Sequence, residues 1–358
     1  MTAWRNTAPN DSLTSHFNLL SCHSFILLKL FLQAHMTTSH DDEAQYAIKS
    51  DAERYAWAGY LLFVLASSLI GDSIILIASI KYRAFNLHKV MVVIIQHIAV
   101  CDLLMSVTYA FPMFISVVNG EWVLGNFLCS VTAYPKYYFY STSVLLICSM
   151  TCSKTLLLRY PLRFRTISKR KAHLLCVACW AAALTFPVSL LLVEGLEGLY
   201  FSYRGYYCDY NVFTASIWKW LQPLLAVVFL FIPTCLVVAT TILILVKAKQ
   251  VARRGRGSLK WQGIMTTVLV ATVHCISSLP IVLYAVASVI VTEDDIYESK
   301  LFYITFFRLV GSMLYLNTIS NFYIYCLSVH GFRDFILLRM QLAHWVNNSI
   351  RPSATNGN

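Results

Sequence analysis

Residues 90–118 read VMVVIIQHIAVCDLLMSVTYAFPMFISVV, a run whose one formal charge is Asp102. A helix rises about 1.5 Å per residue, so about 20 residues cross the roughly 30 Å of bilayer hydrocarbon. This run is longer than that. Working outward from it, comparably apolar stretches occupy 56–80, 127–158, 172–193, 221–246, 264–291 and 301–327. A water-soluble domain rarely carries even one such segment. The pattern predicts an all-α integral membrane protein, a bundle of seven transmembrane helices.

Composition points the same way, since 58% of residues are hydrophobic and 13% charged, with mean hydropathy +0.62. The net charge of +11 raises nucleic acid as a partner, but the location of the basic residues decides against it. Lys81, Arg83 and Lys89 follow the first stretch; Arg159, Arg163, Arg165, Lys169, Arg170 and Lys171 follow the third. Lys247, Lys249, Arg253, Arg254, Arg256 and Lys260 separate the fifth from the sixth. The alternate loops carry Glu121, then Glu194, Glu197 and Asp209, then Glu293, Asp294, Asp295 and Glu298. Lys and Arg collect on the cytoplasmic side, which places the amino terminus outside and the carboxyl terminus inside. The partner that this charge pattern names is the lipid bilayer, and no nucleic-acid module is visible.

Three regions follow: an extracellular segment 1–55, a seven-helix domain 56–328, and an amphipathic helix with a short cytoplasmic tail, 329–358. Residues 1–35 read either as an upstream extension of the coding frame or as a weak signal-like run, 17–32, interrupted by His23 and Lys29. Met36 opens a polar stretch that would serve as an ordinary short extracellular terminus. Asn10-Asp11-Ser12 is a glycosylation sequon only if that head is retained and exported. His330-Gly331-Phe332-Arg333-Asp334-Phe335-Ile336-Leu337-Leu338-Arg339 alternates apolar and charged residues at helical spacing, and predicts a short amphipathic eighth helix on the inner surface.

Several of these segments carry recognisable words. Ile98-Ala99-Val100-Cys101-Asp102 lies in the second stretch, and Glu121-Trp122-Val123-Leu124-Gly125 leads to Cys129. Pro161-Leu162-Arg163-Phe164-Arg165-Thr166 follows the third. Trp180, Pro233 and Pro280 mark the fourth, fifth and sixth. Asn317-Thr318-Ile319-Ser320-Asn321 precedes Tyr325 and Gly331-Phe332-Arg333. In this order the chain, from about 56 to 342, resembles the rhodopsin-like class of G protein–coupled receptors. The resemblance implies a multi-pass plasma-membrane receptor, not an enzyme, that passes an extracellular signal to a heterotrimeric G protein. It departs from the family at Ser153-Lys154-Thr155, where an Asp-Arg-Tyr triplet is usual. It departs again at Asp72 for an asparagine, Ser278 for the aromatic switch, Phe322 for a proline and Thr241 for a tyrosine.

The resemblance also implies a Cys129–Cys208 disulfide and, around the buried acid Asp102, a sodium site to which Ser143, Asn317 and Asn321 belong. No other cofactor is expected. Asp72 adds a carboxylate there, and such a pair either holds a cation more firmly or shares a proton; a purely structural hydrogen-bond cluster is the competing reading. Lys136, Tyr140 and Ser143 share one face of the third helix at four- and three-residue steps. Lys136 with Arg308, ringed by Tyr137, Tyr140 and Tyr315, suits an anionic ligand: a carboxylate, a lipid acid or the acidic end of a peptide. A biogenic amine would meet the wrong charge, and Tyr315 stands where opsins carry the retinal-bearing lysine. Alternatively Lys136 snorkels to Glu121 or Asp209.

At the inner side Lys154 and Lys260 face the wrong way electrostatically to clasp the third and sixth helices, unless both are simply solvated. A G-protein face of Lys154, Arg163, Arg165, Arg253, Arg254, Lys260 and Tyr325, with Arg256 nearby, is expected. Two other readings stand beside the receptor: a decoy that binds ligand without signalling, suggested by the altered triplet, and a transporter or channel subunit, hinted at by the Asp72–Asp102 pair.

Overall fold

The computed structural model describes residues 48, 50–82, 85, 87–194, 199–202, 206–210, 221, 224–253, 261–290 and 300–350, all within the unit Ile48–Asn358. The head with Cys22 and its sequon, Arg254, Arg256, Lys260, the acidic loop 293–298 and the end of the tail lie outside the described residues. So do the side chains of Arg165, Asp209 and Arg308.

The first span is α1 (Asp51–Ile80). The second is α2 (Lys89–Met105), carried through a π turn, Ser106–Ala110, into α3 (Phe111–Asn119). The third comprises α4 (Gly125–Ala133) and α5 (Pro135–Arg159), and α6 (Pro161–Arg165) is a single turn after it. The fourth is α7 (Lys169–Glu194), followed by a hairpin of β1 (Leu199–Ser202) and β2 (Tyr207–Tyr210). A π turn, Val227–Phe231, leads into α8 (Ile232–Arg253), the fifth span. The sixth and seventh are α9 (Trp261–Ile290) and α10 (Lys300–Ser328), and α11 (His330–Ile350) is the eighth helix. Among the described residues six helices are long and apolar enough to cross a membrane by length and composition, and α10 completes the seven-helix bundle.

The bundle is apolar on the outside and polar within. Leu62, Phe63, Ile70 and Ile77 of α1 are all more than half exposed, whereas Ser68 and Asp72 of the same helix are buried. A water-soluble helix would reverse that arrangement; here the outer face is suited to lipid. Helix α5 runs through the middle, against α2, α7, α8 and α9, and α10 closes the ring against α1 and α9.

Irregularities fall at prolines, because proline has no N–H to donate and clashes with the carbonyl four residues earlier. The two π turns lie just before Pro112 and Pro233, and Pro135 starts α5 after a break at Tyr134. The second span ends at Gly120, which adopts φ 78°, a left-handed conformation that glycine takes without a Cβ penalty.

Two features go beyond what the sequence indicated. The loop after the fourth span is not wholly irregular: Leu199 pairs with Tyr210 and Ser202 with Tyr207 in an antiparallel hairpin, a register fixed by strands too short for helical patterning to reveal. The eighth helix is also longer than the motif suggested. Its first turns are held by rings from the first inner loop, Phe85 against Phe332 at 5.0 Å and Tyr82 against Phe335 at 4.9 Å, with the Arg339 guanidinium 4.6 Å over Tyr82. The predicted span boundaries otherwise differ by a few residues, most at the end of the fifth span, which α8 carries on to Arg253, and next at the start of α1, where polar Asp51 and Glu53 supply a favourable first helical turn.

Candidate functional site

The end of the bundle that the charge pattern assigns to the outside, called outer below with its opposite called inner, is organised by the disulfide. Cys129 at α4 and Cys208 in β2 are bonded, with Cα atoms 5.3 Å apart and both side chains buried. This fixes the hairpin over the third span and so sets Tyr207, next to Cys208, against Lys136 on the first turn of α5. The Lys136 ammonium lies 4.1 Å from the Tyr207 ring centroid and 4.7 Å from that of Tyr137. An ammonium over an aromatic face is held by the ring quadrupole, by ~0.5–2 kcal/mol depending on desolvation.

From Tyr207 the rings continue inward. Tyr109 meets Tyr207 edge-on at 5.6 Å and stacks on Tyr315 at 6.2 Å. The Tyr315 hydroxyl then points at Met113 Sδ, 3.5 Å away. Tyr140, one turn below Lys136, donates to Ser278 Oγ at 3.0 Å. Lys136, Tyr137 and Tyr315 are thus joined through Tyr207 and Tyr109, neither of which sequence reasoning named. A Tyr beside the loop cysteine was the available signal. Tyr140 belongs to a deeper contact between the third and sixth spans.

The middle of the bundle holds the two acids. Asp72 and Asp102 are each 1% exposed. Ser68 Oγ donates to Asp72 Oδ2 at 2.8 Å and also lies 3.4 Å from the Asp102 carbonyl oxygen. Thr318 Oγ1 donates to Asp102 Oδ1 at 3.2 Å and Asn321 Nδ2 to Asp102 Oδ2 at 2.7 Å. Asn317 Nδ2 reaches Ser143 Oγ at 3.2 Å. Ser68 and Thr318 were missed by sequence reading, although each is one turn or less from a residue it singled out.

Three of these residues keep a buried oxygen without a partner, Asp72 Oδ1, Asn317 Oδ1 and Asn321 Oδ1; Ser106 Oγ and the Tyr325 hydroxyl are buried and unpartnered as well. Buried oxygens are normally paired, so each open atom points to a water or an ion beside it. Hard oxygen donors fit a sodium ion. Among the described residues no three His, Cys, Asp or Glu side chains converge, so neutral oxygens would have to complete any cation's coordination.

At the inner end Lys154 is 6% exposed rather than solvated. Its Nζ packs on the sixth span: a Cβ built on Gly263 would fall 2.8 Å from Lys154 Nζ and 3.2 Å from Leu87 Cδ2. Gly263 therefore forms the seat for the lysine. Tyr325 is likewise not on the inner surface. It is 1% exposed, edge-on to Phe85 at 5.7 Å, because that ring from the first inner loop covers it. Arg163 and Arg253 are exposed.

A polar chain that sequence reading did not anticipate joins the second and fourth spans. Trp180 Nε1 donates to His97 Nδ1 at 3.2 Å, and His97 Nε2 lies 3.1 Å from His173 Nδ1. Indole nitrogen only donates, so His97 accepts through Nδ1 and turns Nε2–H toward His173.

Residues 71–325 match the family model for the 7 transmembrane receptor (rhodopsin family). The chain belongs to that family and is a multi-pass membrane protein. It is similar to Melanopsin-B of Xenopus laevis, 27% identical over 143 residues, 40% of this chain and 26% of that protein. It is also similar to Dopamine receptor 2 of Caenorhabditis elegans, 23% identical over 183 residues, 49% and 21% of the two chains. Cysteinyl leukotriene receptor 1 of Mus musculus is 24% identical over 132 residues, 36% of each chain. The matched segments span between about a fifth and two fifths of these relatives' own lengths.

Proposed function

We propose that this chain is a plasma-membrane receptor, amino terminus outside, that responds to an anionic extracellular ligand and passes the signal to a heterotrimeric G protein. The observation that carries the ligand class is the Lys136 ammonium, held at the outer end of the third span between the faces of Tyr137 and Tyr207. A carboxylate would bind that ammonium through a charge-assisted hydrogen bond, stronger than either ring contact, while the rings enclose its apolar part. Arg308 would add a second cation. An amine would be repelled, and Tyr315 in place of a lysine removes the retinal attachment point. The relatives are named for ligands of different chemistry, so their names support no single ligand.

Binding at Lys136 frees Tyr207 from the ammonium, and Tyr207 leans on Tyr109 and through it on Tyr315 of the seventh span. A ligand that engages one arrangement of these rings better than another shifts the population of the bundle. Inside, opening would withdraw Lys154 from Gly263 and present Arg163, Arg165, Arg253 and Arg254 to the G protein. A hard cation at Asp72, Asp102, Ser143, Asn317 and Asn321, sodium by the family resemblance, would favour the closed arrangement.

The test is a screen of carboxylates, lipid acids and acidic peptides, read by G-protein dissociation in cells expressing the full chain. The reading expects an acidic hit whose potency falls at least tenfold in Lys136→Gln. A hit of equal potency in that variant, or hits confined to amines, refutes it. The altered Ser153-Lys154-Thr155 triplet favours a second reading, a decoy; binding to Lys136-dependent sites with no dissociation at any dose would establish that instead.

A further inference from the structure

Each nitrogen between Trp180 and His173 has one role, which leaves no place for an added proton. The indole N–H only donates, so the His97 nitrogen facing it at 3.2 Å is bare whichever way the imidazole is turned. His97 then carries its hydrogen on the other nitrogen, which faces His173 Nδ1 at 3.1 Å. That His173 nitrogen is bare in turn. An imidazolium has a hydrogen on both nitrogens, so both rings are neutral here.

Protonating either ring sets two N–H groups against each other. On His97 the new proton meets the Trp180 indole N–H; on His173 it meets His97 Nε2–H. Moving the His97 hydrogen across its ring rescues one contact only by breaking the other. The indole itself is fixed, with Tyr138 and Phe139 of α5 edge-on to it at 5.7 and 6.0 Å.

The surroundings do not compensate an added charge. Among the described residues neither ring pairs with a carboxylate. On α2 the Cys101 thiol, one turn from His97, donates to the Phe139 carbonyl, and Asp102 beyond it is taken by Thr318 and Asn321. Helices α5 and α7 meet at Ser149 and Cys179, and bring Tyr138 and the thiols of Cys148, Cys152 and Cys176 to this side. Lys169 and Arg170, one turn before His173, are cations that oppose a further positive charge. His173 is exposed near the inner end of α7, with His97 half-buried behind it, so protons reach the pair from that side.

We propose that Trp180, His97 and His173 form an acid-released clasp between the second and fourth spans, closed at neutral pH and opened when the inner side acidifies. An ordinary imidazole titrates at about pH 6.5, so an unfolded chain takes up both protons freely there, whereas the folded chain must break the clasp to do so. Its contribution to stability is therefore complete above about pH 7 and is lost as the pH falls below about 6.5. Two imidazoles this close also resemble a zinc pair, but a metal needs the His97 nitrogen bare toward His173, and that turns a hydrogen onto the indole.

Thermal unfolding of the purified full chain in detergent, at constant ionic strength from about pH 7.5 to about 5.5, tests the clasp. The reference is the double variant His97→Gln, His173→Gln, whose carboxamides accept and donate without titrating. The unsubstituted midpoint should fall by about 3–6 °C more than that of the reference over this range. Equal falls overturn the proposal. Zinc chloride raising the unsubstituted midpoint at neutral pH, with the reference unmoved, also overturns it and makes the pair a metal site. Should the double variant not fold, the indole N–H resonance of Trp180 in the unsubstituted chain decides. Loss of its hydrogen bond should move that resonance as the pH drops below about 6.5, and a constant resonance overturns the proposal.

Discussion

Gly71 and Phe322 meet between the first and seventh spans so closely that a methyl group at 71 has no room. A Cβ there would lie 2.9 Å from Phe322 Cβ and 3.1 Å from Phe322 Cγ. Ordinary carbon contacts begin near 3.5 Å, so α1 and α10 would have to separate by roughly half an ångström. Phe322 Cβ is fixed to the backbone and cannot swing aside, so the strain falls on the helices. Overpacking of this kind costs about 1–3 kcal/mol, partly offset by the ~0.5–1 kcal/mol by which Ala outranks Gly inside a helix. At the midpoint of those ranges, a net cost of roughly 1.25 kcal/mol, and about 2–4 °C per kcal/mol for a bundle of this size, Gly71→Ala should lower the unfolding midpoint by about 2.5–5 °C.

Gly59, three turns earlier on the same helix, is the internal control. A Cβ there meets nothing within 4 Å, so Gly59→Ala gains helix propensity alone and should raise the midpoint by about 1–3 °C. The assay is thermal unfolding of both variants in the same detergent, followed by tryptophan fluorescence. Gly71→Ala melting with or above the unsubstituted chain, or Gly59→Ala falling as far, would refute the packing argument.

At the inner end, Gly263→Ala places a methyl 2.8 Å from the Lys154 ammonium, which is mobile and will leave its seat. Basal G-protein activation should then rise about fivefold, equivalent to ~1 kcal/mol in the closed–open equilibrium; an unchanged baseline removes Lys154 as a closing contact. Cys208→Ser opens a bridge between residues 79 apart in sequence and should destabilise by about 2–5 kcal/mol, read as lost cell-surface receptor; normal surface levels would contradict it. Trp180→Phe keeps the ring but removes the donor to His97, and should lower stability by ~0.5–1.5 kcal/mol, and the double variant with His97→Ala should lose less than the sum of the two single losses. Additive losses from the two changes would show that the hydrogen bond contributes nothing.

The helical architecture was legible because each span repeats a strong, redundant signal: length, apolarity, and Lys or Arg at one end. The Cys129–Cys208 bridge followed from resemblance alone. The hairpin was not legible, because eight strand residues in a loop carry little periodicity. Of the outer site, Lys136 and Tyr137 stood out by charge and spacing, but Tyr207 reaches Lys136 only through the disulfide, a contact that local pattern does not encode. In the middle, Asp72 and Asp102 announced themselves as acids in apolar helices. The open oxygens of Ser106, Asn317 and Asn321 depend on side-chain direction and become visible only in the packed bundle. Lys154 illustrates the same limit: its charge suggested a solvated rim, while the absence of a Cβ at Gly263 lets it sink against the sixth span.

Every site described above presupposes an odd number of crossings, with Lys136 and Gly263 at opposite faces of the bilayer. Epitopes placed at each terminus, stained in intact and then in permeabilised cells, test that directly. The amino-terminal epitope should stain at once and the carboxyl-terminal one only after permeabilisation. Both appearing in the same step would place the two ends on one side and contradict the account.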